Sequence, residues 1–170
     1  ETLDLYLIHW PVNDWPGAWR AMEAIYRSGR VRAIGVSNFM EHHLEDLFQF
    51  AEVAPVVNQF EYHPHLQQPA LRSYCDEHDI YVTAWAPIKK GQVLNMPAIA
   101  SIGEKYNKNG IQVTLRWLLQ TGIIAIPKSA TQAHIESNRD IFDFELSEED
   151  IEVMNGLDKD DRVGPHPDNF

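Results

Sequence analysis

The sequence predicts an α/β fold of parallel strands, each followed by a helix, and three observations carry that prediction. Five short apolar runs recur along the chain: LDLYLIHW, VRAIGVSN, VVNQFEYH, IYVTAWAP and IIAIPKS. A stretch with helical spacing follows each run, the pattern of a parallel sheet with crossover helices. The runs are dense in Val, Ile and Leu, as expected of strands covered on both faces. Parallel strands of such units point their C-terminal ends one way. Those ends carry His9, Trp10, Ser37, Asn38, Gln59, Trp85, Lys128 and Ser129. Barrels of strand–helix units place their active sites on that rim. Five strands are too few to close a barrel, so the chain reads as part of one.

The first strand ends near Trp10 and is closed by Pro11 and a loop, VNDWPG. A helix over AWRAMEAIYRSG follows, with Trp19, Met22, Ile25 and Tyr26 on one face and Gly29 as its stop. After VRAIGVSN, the pair Asn38 and Glu41 resembles a capping box for a helix burying Leu44, Leu47, Phe48 and Ala51. The third helix begins near Pro69 and carries Leu71, Tyr74, Cys75 and His78 inward. The loop KKGQVLNMP leads to a helix with Ile99, Ile102 and Tyr106 in register, and Asn109 with Gly110 marks a turn. The helix IQVTLRWLLQTG stops at Gly122, the strand IIAIP follows, and TQAHIESNRDI is the next helix. Ser147 caps a last amphipathic helix with Ile151, Met154 and Leu157, and the Pro- and Gly-rich tail RVGPHPDNF is a loop. No linker or repeat interrupts the pattern, so residues 1–170 form one partial domain.

Composition excludes several classes. Net charge of −11, with acids spread along the chain, disfavours nucleic acid or an anionic membrane as partner. The longest apolar runs are strand-length, far short of the roughly 20 residues of a membrane helix. No secretory signal is visible, and because the chain starts at Glu1 without a methionine, further sequence upstream is expected. The single cysteine, Cys75, fits a reducing cytoplasm and reads as a buried small hydrophobe.

The rim residues are each ambiguous alone. Lys128, Ser129 and Thr131 lie between a strand and a helix N-terminus, where an ammonium, hydroxyls and free backbone N–H groups suit a phosphate. The bland alternative is a helix cap beside a solvated lysine. His9 suits a hydrogen bond to a polarised carbonyl oxygen, or an interior partner. Asn38 reads equally as an N-cap. Gln59 is polar inside an apolar run and needs a partner. The Trp85 ring suits a flat heterocycle or a barrel plug. A metal is not expected: His63 and His65 bracket a proline, while His42 and His43 are helical neighbours that do not both face one ion.

Taken in order, HWP, GVSNF, NQFEYHP, AWAPI, IPKS and IESN resemble the aldo-keto reductases, and most closely the bacterial branch acting on small sugar-derived and dicarbonyl substrates. The resemblance runs from Leu3 to Phe170, and RVGPHPDNF is similar to that branch's C-terminal end. It implies a (β/α)8 TIM barrel, of which this chain covers the last five strand–helix units and the C-terminal loop. It implies NADP as cofactor, with no Rossmann motif. By the resemblance His9 orients the substrate carbonyl and is the catalytic residue present, and Trp10 joins it in the substrate pocket. Ser37, Asn38 and Gln59 match positions that hold the nicotinamide carboxamide, and Trp85 matches the aromatic that stacks on its ring. Lys128, Ser129 and Thr131 match the 2′-phosphate site, with His134 and Asn138 near the adenine.

The departures matter. His134 stands where many relatives have an arginine, so NADPH is preferred but NADH is possible, since an imidazole lacks the guanidinium's fork and permanent charge. Ala86 stands where serine is common. The family's tyrosine, lysine and aspartate belong to strand ends that this chain does not contain. The expectation is therefore an NADPH-dependent cytoplasmic reductase of small aldehydes, ketones or keto-sugars, monomeric when whole, with the isolated chain inactive. A non-catalytic cofactor sensor or regulatory subunit on the same fold is the alternative. A metal-dependent hydrolase on such a barrel is set aside, because the rim lacks clustered carboxylate and histidine ligands.

Overall fold

The computed structural model describes residues 1–169. One sheet contains β1 (Leu3–Ile8), β2 (Val31–Ser37), β3 (Val57–Glu61), β4 (Tyr81–Trp85) and β5 (Ile124–Ala125), in that order across the sheet. β1 pairs β2, β2 pairs β3 and β4 pairs β5, all in parallel. The helices are α1 (Trp15–Arg27), α2 (Glu41–Phe48), α3 (Pro69–Glu77), α4 (Pro97–Tyr106), α5 (Gly110–Gln120), α6 (Gln132–Arg139) and α7 (Glu148–Asn155). Short 3-10 segments cover Lys89–Asn95 and Pro167–Asn169. Among the described residues no helix is long and apolar enough to cross a membrane.

The chain divides into two compact units. The first comprises Glu1–Phe60, Pro69–Val82 and the stretch from Gly164. Its buried side chains include Trp19 and Met22 of α1, Val31, Ile34 and Val36 of β2, Leu44 and Leu47 of α2, and Leu71 and Cys75 of α3. Gly35 is required by close packing: a Cβ there would lie 2.6 Å from the Val57 carbonyl oxygen and 2.9 Å from Leu7 Cδ2. Glu23, also buried, accepts the Glu52 and Val53 N–H groups at 2.7 and 2.8 Å and so ties α1 to the segment after α2.

The second unit comprises Glu61–Gln68 and Thr83–Val163. Tyr62 stacks on Trp117 with ring centroids 5.7 Å apart, and the Trp117 indole N–H donates to Asn155 Oδ1 at 2.9 Å. Buried Asp150 of α7 takes hydrogen bonds from Lys105 and from the Tyr106 hydroxyl of α4. Burial opposes ionisation of Asp150, but those donors and the Lys105 charge outweigh it and hold its carboxyl below the usual range.

Several local expectations give way. The WPG segment is the first turn of α1, because Asp14 caps it by accepting the Gly17 N–H at 2.9 Å. The capping residue of α2 is Met40, whose N–H donates to His43 Nδ1 at 3.1 Å, and not Asn38. Tyr26 and His78 are exposed, with His78 stacked on Tyr74 at 4.2 Å. β5 is only two residues long, and part of the 89–97 loop is 3-10. β1 is not covered on both faces: Leu3, Leu5 and Tyr6 are exposed, since β1 is an edge strand with β2 as its partner.

Candidate functional site

The rim residues form two clusters, one in each unit. In the first unit, β2 runs parallel to β3 with Ser37 opposite Gln59. The Gln59 carbonyl accepts both the Ser37 hydroxyl at 2.6 Å and the Asn38 N–H at 2.8 Å. Asn38 is in the left-handed region, with φ of 62°, which Asn tolerates better than most residues. That turn aims its amide so that Nδ2 donates to the His9 carbonyl at 3.0 Å and to Ser37 Oγ at 3.2 Å. Ser37 and Asn38 are 2% and 3% exposed. The ends of β1, β2 and β3 are thus knotted by buried hydrogen bonds, while the His9 side chain just past β1 stays exposed. Trp10 is half-buried with its ring 6.0 Å from that of His9.

The second cluster surrounds a cavity of about 700 Å³ in the second unit. Lys128, Ser129, His134 and Asn138 line it, and Asn138 Nδ2 donates to Ser129 Oγ at 3.0 Å. Lys128 and His134 are exposed. Thr131 is the N-cap residue of α6 but its hydroxyl makes no cap bond, and it does not line the cavity. Trp85, half-buried at the end of β4, does not line it either.

Sequence reasoning missed Lys90 and Gly91, which also line the cavity. Ala86, Lys89, Lys90 and Gly91 all have positive φ, at 49°, 46°, 53° and 87°. Three of these are not glycine, and such conformations persist only where surroundings enforce them. Here the enforcement comes from the segment before Gly164. Buried Lys89 pairs with Asp161 and lies 3.2 Å from His65 Nδ1, and Lys90 Nζ donates to the Val163 carbonyl at 3.1 Å. Arg162 donates to Gln68 at 2.7 Å, and the Val163 N–H to buried Glu61 at 2.6 Å. The segment reads as a loop in the sequence, but only Gly91 signalled its left-handed backbone. His63 is buried against Glu61 at 3.0 Å, and His65 is held below its ordinary pKa by burial and by the Lys89 charge. Cys75 is buried and pushed up to about 12 by desolvation, the inert thiol expected of it.

A family model described as the aldo/keto reductase family matches residues 1–159. The chain is 53% identical over 171 residues to glyoxal reductase of Bacillus subtilis (strain 168), covering 100% of this chain and 62% of that protein. It is 38% identical over 175 residues to methylglyoxal reductase DkgA of Escherichia coli (strain K12), again with 100% of this chain and 64% of the relative. Among solved structures, MGS-M4, an aldo-keto reductase from a deep-sea metagenome library, superposes with TM-score 0.94 at 39% identity, covering 99% of this chain and 65% of that one. A Gox0644 mutant in complex with NADPH gives TM-score 0.93 at 43% identity, covering 99% and 64%. The chain therefore spans less than two thirds of the length of these relatives, and its fold is that of a partial (β/α)8 barrel.

Proposed function

Because the chain belongs to the aldo/keto reductase family, we propose that it supplies the cofactor-holding and carbonyl-facing part of an NADPH-dependent reductase. The substrates are small aldehydes, ketones or keto-sugars, which become alcohols. Bound NADPH supplies the hydride. The names of the relatives, glyoxal reductase and methylglyoxal reductase, favour small dicarbonyls within that class.

The chain's own residues divide the work. His9 presents its ring to the substrate carbonyl oxygen, where negative charge develops, so its hydrogen bond strengthens towards the transition state. Trp10 walls the substrate pocket. Ser37, Asn38 and Gln59 hold the carboxamide, and Trp85 gives the flat face on which the nicotinamide ring rests. Lys128, Ser129 and Thr131 hold the 2′-phosphate, helped by the N-terminus of α6. His134 and Asn138 lie by the adenine, with NADPH preferred over NADH. The cavity fits such a group: about 700 Å³ with an ammonium, a hydroxyl, an imidazole and an amide on its wall suits a phosphate-bearing nucleoside. The proton for the alkoxide is assigned to a tyrosine outside this chain, backed by a lysine and an aspartate, so this chain alone is expected not to turn over. The whole enzyme is read as cytoplasmic and monomeric.

The single observation that carries this reading is the Asn38 bridge from the end of β2 to the His9 carbonyl, which ties the backbone at His9 to Asn38 and so supports a shared role for the two. The test is loss of NADPH absorbance when the intact protein meets methylglyoxal. Saturable consumption with stoichiometric alcohol supports the reading. Tight NADPH binding without reduction would replace it with the cofactor sensor.

A further inference from the structure

Three histidines and an aspartate that the reduction does not use meet in the first unit. His42 and His43 stand in the first turn of α2, and Asp168 belongs to the 3-10 segment Pro167–Asn169. His42 Nε2 lies 3.3 Å from Asp168 Oδ1, and His43 Nε2 lies 3.8 Å from the same oxygen. The two imidazole centroids are 4.0 Å apart, so these helical neighbours do face one point. His166 adds an imidazole nitrogen, Nδ1, 3.7 Å from Asp168 Oδ2.

A charge-assisted N–H···O bond runs about 2.7–2.9 Å, and the His42 and His43 contacts to Asp168 are both longer. His166 Nδ1 is engaged differently, accepting the Asp168 N–H at 3.3 Å. Tetrahedral zinc, with nitrogen and oxygen ligands at about 2.0–2.2 Å, places its ligand atoms roughly 3.3–3.6 Å apart. One nitrogen from each of His42 and His43 and one Asp168 oxygen lie within 4.8 Å of one another, so a small closure brings them onto such a sphere. The chemistry matches as well, since imidazoles with a carboxylate select a borderline divalent metal over calcium or magnesium. The positive end of α2 opposes a cation, and the carboxylates of Glu41 and Asp168 offset it.

We propose that His42, His43 and Asp168 form a binding site for a divalent transition metal, best matched by Zn2+, that fastens the C-terminal segment to the start of α2. The two histidines bind through Nε2 and the aspartate through one oxygen, and water completes the sphere. Coordination by His43 Nε2 places that ring's proton on Nδ1. The hydrogen bond now accepted there from the Met40 N–H is therefore released. Zinc binding carries its own signature: the Met40 amide exchanges faster while the C-terminal segment becomes more protected.

The experiment is calorimetric titration of the metal-free intact protein with ZnCl2, repeated for His42→Ala and Asp168→Asn. Cobalt(II) absorption serves as a second probe. One saturable equivalent is expected, with tetrahedral cobalt bands. Each variant should weaken binding by more than the roughly 10- to 100-fold that loss of a partner merely supporting a ligand costs. His78→Ala, an exposed histidine outside the cluster, should change nothing. Because His42 and Asp168 lie at the surface, the melting temperature of the zinc-free variants should equal the parent's. Absence of a stoichiometric zinc site, or an affinity unmoved by both ligand variants, would overturn the proposal.

Discussion

The rim cluster of the first unit and that of the second are built on opposite principles. Around Asn38 the polar groups are buried and hydrogen-bonded to one another: the Gln59 carbonyl takes two donors, and the Asn38 amide bridges to the His9 carbonyl. Around Lys128 the wall is open, its ammonium and the His134 imidazole face solvent, and Asn138 Nδ2 donates to Ser129 Oγ. Ordering costs nothing further in the first cluster, which suits a group that must be held within a fraction of an ångström for hydride transfer. In the second, long exposed side chains must be ordered by what they bind. On the proposed reading, affinity and cofactor choice belong there, and rate belongs to the first.

The contrast breaks most visibly at His9. In the intact protein, His9→Ala is expected to lower turnover by roughly a hundred- to a thousandfold, as loss of one transition-state donor does elsewhere. A loss confined to KM would move His9 out of the chemistry. Next comes Lys128→Ala, expected to weaken NADPH by roughly ten- to a hundredfold, about 1.5–3 kcal/mol, while leaving NADH nearly unchanged. Equal weakening of both cofactors would show that Lys128 does not read the 2′-phosphate.

Smaller effects sharpen the claim that the first cluster is preorganised. Gly35→Ala would push a methyl against the Val57 carbonyl and Leu7, and strain of this kind costs about 1–3 kcal/mol. Chemical denaturation should show that loss, with turnover falling because β2 carries Ser37 and Asn38. The smallest effect concerns the second unit and acid. Asp150 has its folded pKa held below the usual carboxylate value, so its contribution to stability is complete above about pH 4 and is lost as pH falls through the folded value. Asp150→Asn should flatten the acid limb of the melting-temperature profile. An unchanged acid limb would remove Asp150 as an anchor of α4 and α7.

Much of this was legible in the residues. The dense Val, Ile and Leu runs gave four of the strands nearly at their limits, and the motif order placed His9, Asn38 and Lys128 at strand ends. What failed failed for physical reasons. Asn38 and Glu41 have capping-box spacing, but a residue at φ of 62° cannot serve as an extended N-cap, and nothing in GVSNF announces that angle. The left-handed Lys89 and Lys90 are held by Asp161 and Val163, some seventy residues away in sequence, so no local pattern encodes them. His42 and His43 diverge on a regular helix. Here both Nε2 atoms lie within 4 Å of one Asp168 oxygen, which their sequence spacing does not announce.

The most direct test of the division of labour measures turnover and NADPH affinity side by side in the intact protein, His9→Ala and Lys128→Ala. The account predicts that the effects separate: His9→Ala loses rate and keeps its affinity, while Lys128→Ala loses affinity and keeps its rate at saturating NADPH. Two variants that lose both quantities in the same proportion would contradict it.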